Sequence, residues 1–104
     1  MLLTTVQVIP GRSYEILGLV EGGTVQSRHM GQDIGASFKT LVGGELKSYT
    51  GMLEDARRIA TQRMVDNATA LGADAVIGVH YSSSAIMQGA AEVLAYGTAI
   101  RFLE

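Results

Sequence analysis

No cysteine occurs among the chain's 104 residues, there is no tryptophan, and Pro10 is the single proline. The first absence excludes disulfides, thiolate metal sites and thiol catalysis together. Charge is also scarce: Asp, Glu, Lys and Arg make up 17%, against roughly a quarter in an ordinary globular domain. The signs are mixed, with Glu54, Asp55, Arg57 and Arg58 side by side and a net charge of −2. No basic block marks a nucleic-acid binder or draws the chain to an anionic membrane. The opening MLLTTVQVIP lacks the charged start of a signal peptide, and its apolar run is short and broken. No stretch approaches the ~20 apolar residues of a membrane span. The expectation is a cytoplasmic protein.

Apolar side chain, by contrast, is plentiful, at 47% of residues. The length suits one domain over residues 1–104. A chain this short buries only about 60–70% of the surface that its unfolded form exposes. Some apolar area must then lie outside a monomer's core, and contact between subunits is the simplest place for it.

Pattern along the chain predicts an α+β domain. Residues 14–20 (YEILGLV) read as a strand opened by Pro10 and Gly11. Gly22 and Gly23 break it, and residues 24–28 (TVQSR) resume extended structure. Asp33 is placed to cap a short helix carrying Ile34, Phe38 and Leu41 on one face, ended by Gly43 and Gly44. Residues 48–71 form the clearest element, a long helix. Tyr49, Met52, Leu53, Ala56, Ile59, Ala60, Met64, Ala68 and Leu71 follow helical spacing. Its opposite face pairs Glu54 with Arg58 at i,i+4, and Gly72 suits the left-handed residue that closes a helix. Residues 75–82 (AVIGVHYS) and 91–103 (AEVLAYGTAIRFL) read as strands, joined by a turn over residues 83–90. Alternation places Ile77, Val79 and Tyr81 on one face of the first, with Val76, Gly78 and His80 on the other. The expected architecture is two-layered: a small antiparallel sheet covered on one face by the long helix.

The strand ending at Gly22 and Gly23, the Leu41-Val42-Gly43-Gly44 run before the long helix, Leu71-Gly72-Ala73-Asp74-Ala75-Val76 after it and Gly97-Thr98-Ala99 in the last strand stand in a telling order. Together they resemble the YbjQ family of bacterial and archaeal proteins, over essentially the whole chain. The resemblance implies a β-α-β-β subunit of the dodecin type assembled as a homopentameric ring. It also brings a heavy-metal-binding label, without a ligand motif that transfers to numbered positions here, so metal ligands stay unknown. Soft metals prefer thiolates, which this chain lacks.

The side chains themselves offer little chemistry. His29 and His80 are the only histidines. His80 sits in a strand and reads first as a hydrogen-bonded core or interface residue, second as a ligand or acid–base group. His29 adjoins Met30 in a loop, a pair able to contribute to a Cu(I) site but more simply an exposed loop. No His-x₃-His and no carboxylate cluster supplies the three or four ligands of a zinc site. Ser82, Ser83 and Ser84 follow His80, with Ser82 on its face, yet no Gly-x-Ser-x-Gly elbow and no orienting acid accompanies them. Gly31-x-x-x-Gly35 and Gly43-Gly44 lack the Lys-Ser/Thr ending of a phosphate loop. Arg63 and Asn67, four apart beside the helix's apolar stripe, break its pattern. Arg63 reads either as covering apolar surface with its stem or as an inter-subunit ion pair or anion contact.

No catalytic residue and no cofactor site emerge. The sequence favours a homo-oligomeric binding or scaffold module over an enzyme. A metal-binding or metal-sensing protein, and an enzyme with a site shared between subunits, stand as alternatives.

Overall fold

The structure is a computed structural model that describes residues 1–27 and 44–103. Among these residues four strands and a helix follow in order: β1 (Leu2–Leu3), β2 (Tyr14–Ser27), α1 (Gly44–Ala70), β3 (Ala75–Met87) and β4 (Ala90–Phe102). They form one sheet of order β1-β3-β4-β2, with β4 antiparallel to both its neighbours and β1 parallel to β3. The fold is α+β, with the helix on one face of the sheet. The sheet is mixed rather than purely antiparallel, because β1 adds two residues alongside Ala75 and Val76. The short helix expected around Ile34, Phe38 and Leu41, with its Asp33 cap, lies outside the described residues.

Helix and sheet meet through small residues. Met52, Ala56, Ala60, Met64 and Ala68 are buried on α1, and the last four pack on Val20, Val76, Val79, Val93, Ala95 and Ala99. Alanine on both surfaces brings the layers close, and Gly22 brings them closest. A Cβ at Gly22 would stand 2.3 Å from the Met64 nitrogen and 2.4 Å from the Ala60 oxygen. Gly22 therefore does not break β2, as its type suggested. It lets one unbroken strand pass beneath the helix.

The helix starts earlier than the apolar pattern indicated, at Gly44 rather than residue 48. It ends where glycine predicted. Gly72 has φ +82°, its N–H donates to the Thr69 carbonyl at 2.9 Å, and Ala73 N–H donates to the Ala68 carbonyl at 3.0 Å. These two bonds are a Schellman closure. Leu71, assigned to the apolar stripe, falls beyond the last turn and is exposed. The surface ion pair also differs: Arg58 bridges to Asp55 at 2.6 Å, not to Glu54.

Two departures concern β3. The segment over residues 83–90 is not a loop, since β3 runs on to Met87 and only Gln88 and Gly89 turn the chain into β4. The register also shifts between Ile77 and His80, where Gly78 takes φ +60°. This bulge inserts one residue and reverses the alternation beyond it. Val76, Val79 and Tyr81 thus share the helix-side face, while Ile77 and His80 share the other, contrary to the uninterrupted pattern.

The face away from the helix is covered at one end by the chain itself. Ala75, Ile77 and Ile100 are buried there, with Ile9, Tyr14 and Phe102 packed against them. Tyr14 and Phe102 meet edge to face at 6.5 Å, and Arg12 lies over the Phe102 ring. The segment after β1 is tied down by Gly78 N–H donating to the Val6 carbonyl and Val79 N–H to the Thr4 carbonyl.

Candidate functional site

Among the described residues, hollows border the sheet at two places. The first, about 570 Å³, opens beside β2 and is lined by Glu21, Gly22, Gly23, Arg63, Asp66, Asn67 and Leu94. The close approach at Gly22 sets α1 over the outer edge of β2. From there Arg63 Nη1 donates to the Gly23 carbonyl and Asn67 Nδ2 to the Glu21 carbonyl, each at 2.7 Å. Neither expectation for Arg63 describes this contact. Its guanidinium is held on backbone, as half of a clasp over the strand edge. The pairing satisfies two carbonyls that an edge strand otherwise offers to water or to another strand. Glu21 and Asp66 bring negative charge to the same hollow, so Arg63 does not make it an anion site.

The second hollow, about 380 Å³, lies on the sheet face away from the helix, between that face and the N-terminal segment. Gln7, Leu19, Ile77, Gly78, His80, Tyr96, Gly97 and Thr98 line it. His80 and Tyr96 are direct cross-strand partners, with ring centroids 5.8 Å apart and planes tilted by 31°. They stand side by side because the Gly78 bulge turned His80 to this face. The lining contains no Asp, Glu, Lys or Arg. The arrangement suits a small, mainly uncharged group that packs on flat rings.

Catalytic groupings do not assemble around it. Ser82 shares His80's face, as expected from the strand period, but no hydrogen bond joins them among the described residues, and no acid orients the imidazole. Tyr81 points to the helix side, where its hydroxyl shares a 2.6 Å hydrogen bond with that of Thr61. Ser82, Ser83 and Ser84 belong to β3 and are exposed, so Ser83 and Ser84 are strand residues rather than turn residues.

Among the described residues no donor set fits a resident heavy metal within one chain. No group of three or more His, Asp or Glu side chains converges among the described residues. His80 has an aromatic neighbour, not a second ligand. His29 and Met30 lie outside the described residues. No helix among the described residues is long and apolar enough to cross a membrane.

Arg63 and Asn67 stand out in the sequence as departures from the helical stripe, but their partners are backbone atoms 40 and 46 residues away, which no local pattern marks. The sequence also singles out His80, but not its pairing with Tyr96, because that depends on the bulge.

Comparison with known proteins places this geometry. A family model described as "Putative heavy-metal-binding" matches residues 1–103. A UPF0145 protein from Thermotoga maritima is 61% identical over 102 residues, covering 97% of this chain and 96% of its own. One from Clostridium novyi is 54% identical over 103 residues, covering 99% and 100%. A crystal structure of a DUF74-family protein of unknown function from Pediococcus pentosaceus shares the fold, with a TM-score of 0.64 at 21% identity over 98% of this chain and 97% of that one. On the match over nearly its whole length and these identities, the chain belongs to the YbjQ family.

Proposed function

We propose that this chain is the subunit of a homo-oligomeric binding or scaffold module, built as a ring with the pentameric number that the family resemblance implies. One observation carries the reading: the sheet face away from the helix holds large apolar side chains that, among the described residues, nothing covers beyond the end where the N-terminal segment packs. Leu19 is 72% exposed and Val25 54%, and both stand on that face with half-buried Leu94 and Tyr96. Each large apolar side chain left in water forgoes about 1.5–3 kcal/mol of burial, and together they make the kind of patch that marks an interface. The overall shape agrees. The radius of gyration is 17.2 Å, against about 13 Å for a compact domain of this length.

A neighbour laid on this face would close the His80–Tyr96 hollow into a pocket at the subunit junction. The module's ligand would bind there, held by ring stacking and by the neutral polar groups of Gln7 and Thr98. Light scattering after size exclusion tests the reading, with about five times the 11.0 kDa chain expected at micromolar concentration. Native mass spectrometry of the same sample would show any small molecule retained. A compact, folded monomer would remove the reading.

A further inference from the structure

The hollow on the sheet face away from the helix is built around one cross-strand row. Tyr96 lies on β4, with His80 of β3 as its partner on one side and Glu21 of β2 as its partner on the other. Partners in register share a face, so a histidine, a tyrosine and a glutamate stand abreast across three strands, a width of about 10 Å at the usual strand spacing. The two rings, with centroids 5.8 Å apart and planes tilted by 31°, offer π-faces to a ligand. The floor beside them is main chain. A Cβ on Gly78 would meet nothing within 4 Å, so a ligand can come down to the backbone there. Gly97 serves the same floor by other means. A Cβ on it would stand 2.7 Å from Val76 Cγ1 and 2.9 Å from the Ile77 oxygen, so its absence lets the bulge lie tight on β4.

The polar groups around the rings are neutral and two-handed: the Gln7 amide, the Thr98 hydroxyl and a neutral His80 imidazole can each donate and accept. No lysine or arginine lines the hollow. Glu21 ends the row with negative charge, and its main chain is held in place by Asn67. A phosphate or carboxylate therefore finds no cation and one repulsion, whereas a ring N–H or an amino group finds an acceptor. The volume, about 380 Å³, lies within the roughly 300–1,000 Å³ of small-molecule sites. A single ring would cover one member of the row; a fused two-ring heterocycle reaches along it.

We infer that the hollow at His80 and Tyr96 binds a neutral purine-type base, as free base or nucleoside, stacked on the ring pair with its rim hydrogen-bonded to Gln7, Thr98 and Glu21. The inference deepens the homo-oligomeric binding reading, on which it rests for the neighbour that closes the hollow, and it names the class of ligand.

Guanosine and adenosine are titrated calorimetrically into the full chain, with guanosine 5′-monophosphate as the charged counterpart, and light scattering counts the subunits in the same samples. At least one nucleoside should bind with a micromolar Kd, and the monophosphate several-fold more weakly than guanosine. Tyr96→Leu keeps apolar bulk but removes a ring, and His80→Leu removes the other; each should weaken binding about tenfold without changing the subunit number. Glu21→Gln should narrow the gap between guanosine and its monophosphate, an effect that loss of packing would not produce. Circular dichroism confirms folding, and should Tyr96→Leu not fold, His80→Leu and Glu21→Gln carry the test. An assembled protein that binds neither nucleoside, ring variants that bind as well as the wild type, or a monophosphate that binds tighter than guanosine overturns the inference and leaves the homo-oligomeric reading standing. A monomer that binds a nucleoside keeps the ligand class and removes that reading. A monomer that binds neither removes both.

Discussion

Arg63 Nη1 reaches the carbonyl oxygen of Gly23 at 2.7 Å, joining the middle of the helix to the outer edge of a strand 40 residues earlier in the chain. The bond is charge-assisted but exposed, so its net worth is that of an ordinary hydrogen bond, about 1 kcal/mol. Arg63→Ala should lower the stability measured by urea denaturation by that amount, and Asn67→Ala, which frees the Glu21 carbonyl, by a similar one. Because both act on one strand edge, the double variant should lose less than the sum if water serves the freed carbonyls together. Loss of the edge clasp should also show as concentration-dependent aggregation of the double variant that the wild type does not share.

Gly22 and Gly23 are adjacent and of one type, yet their tolerance should differ sharply. A Cβ at Gly22 meets helix backbone at 2.3 Å, whereas one at Gly23 meets the end of the Leu94 side chain at 3.4 Å, an ordinary contact. Gly22→Ala must push α1 away from the sheet and should cost about 3 kcal/mol or abolish folding. Gly23→Ala should stay within about 1 kcal/mol of the wild type. Thermal denaturation of the pair is the measurement, and equal melting temperatures would count against the close helix–strand approach.

Two further glycines should respond in opposite directions. Gly51 lies inside α1, and a methyl group added to it would meet nothing within 4 Å, so Gly51→Ala should stabilise by about 0.5–1 kcal/mol through helix propensity. Gly72 also has open space around it, but φ +82° is badly suited to a β-branched side chain. Gly72→Val should cost more than about 1 kcal/mol by strain alone. An unchanged melting temperature for Gly72→Val would contradict the Schellman closure.

Zn²⁺ or Cd²⁺ should bind weakly or not at all. No three-ligand group converges among the described residues, and without cysteine only symmetry-related copies of His80 or His29 could gather around one ion. Titration calorimetry should show no submicromolar site. Tight binding that His80→Ala abolishes would restore the metal reading suggested by the family description.

What could be read in advance follows from how local each signal is. The helix was legible because Met52, Ala56, Ala60, Met64 and Ala68 recur four residues apart and Gly72 marks its end, all within one element. Its first turn was not, since residues 44–47 precede the apolar stripe. The bulge at Gly78 was invisible because glycine has no side chain whose face can be compared with the pattern. That single extra residue carried the face assignment of His80 and Tyr81 with it. Ser83 and Ser84 read as a turn by composition, whereas pairing with Val93 and Glu92 across a two-residue hairpin holds them in a strand. β1 was illegible because two residues carry no period, and its partner Ala75 lies in a distant part of the chain. For the candidate site, His80 was picked out by rarity, while Tyr96, Gln7 and Thr98 join it only through register.

The order β1-β3-β4-β2 has a consequence for synthesis. β4 lies between β2 and β3, yet it follows both in the chain. Until residues 90–102 leave the ribosome, β2 has no partner strand, and α1 has only part of the surface against which Ala60, Met64 and Ala68 are buried. The nascent chain therefore carries a nearly finished helix with part of its apolar side uncovered, a state in which chaperones would recognise it. The β3–β4 hairpin is the local event that ends this wait. Closing β2 onto it, from Tyr14 at one end of the ladder to Phe102, is the long loop closure that follows. A ribosome stalled before Ile100 therefore holds a chain that cannot yet complete its core.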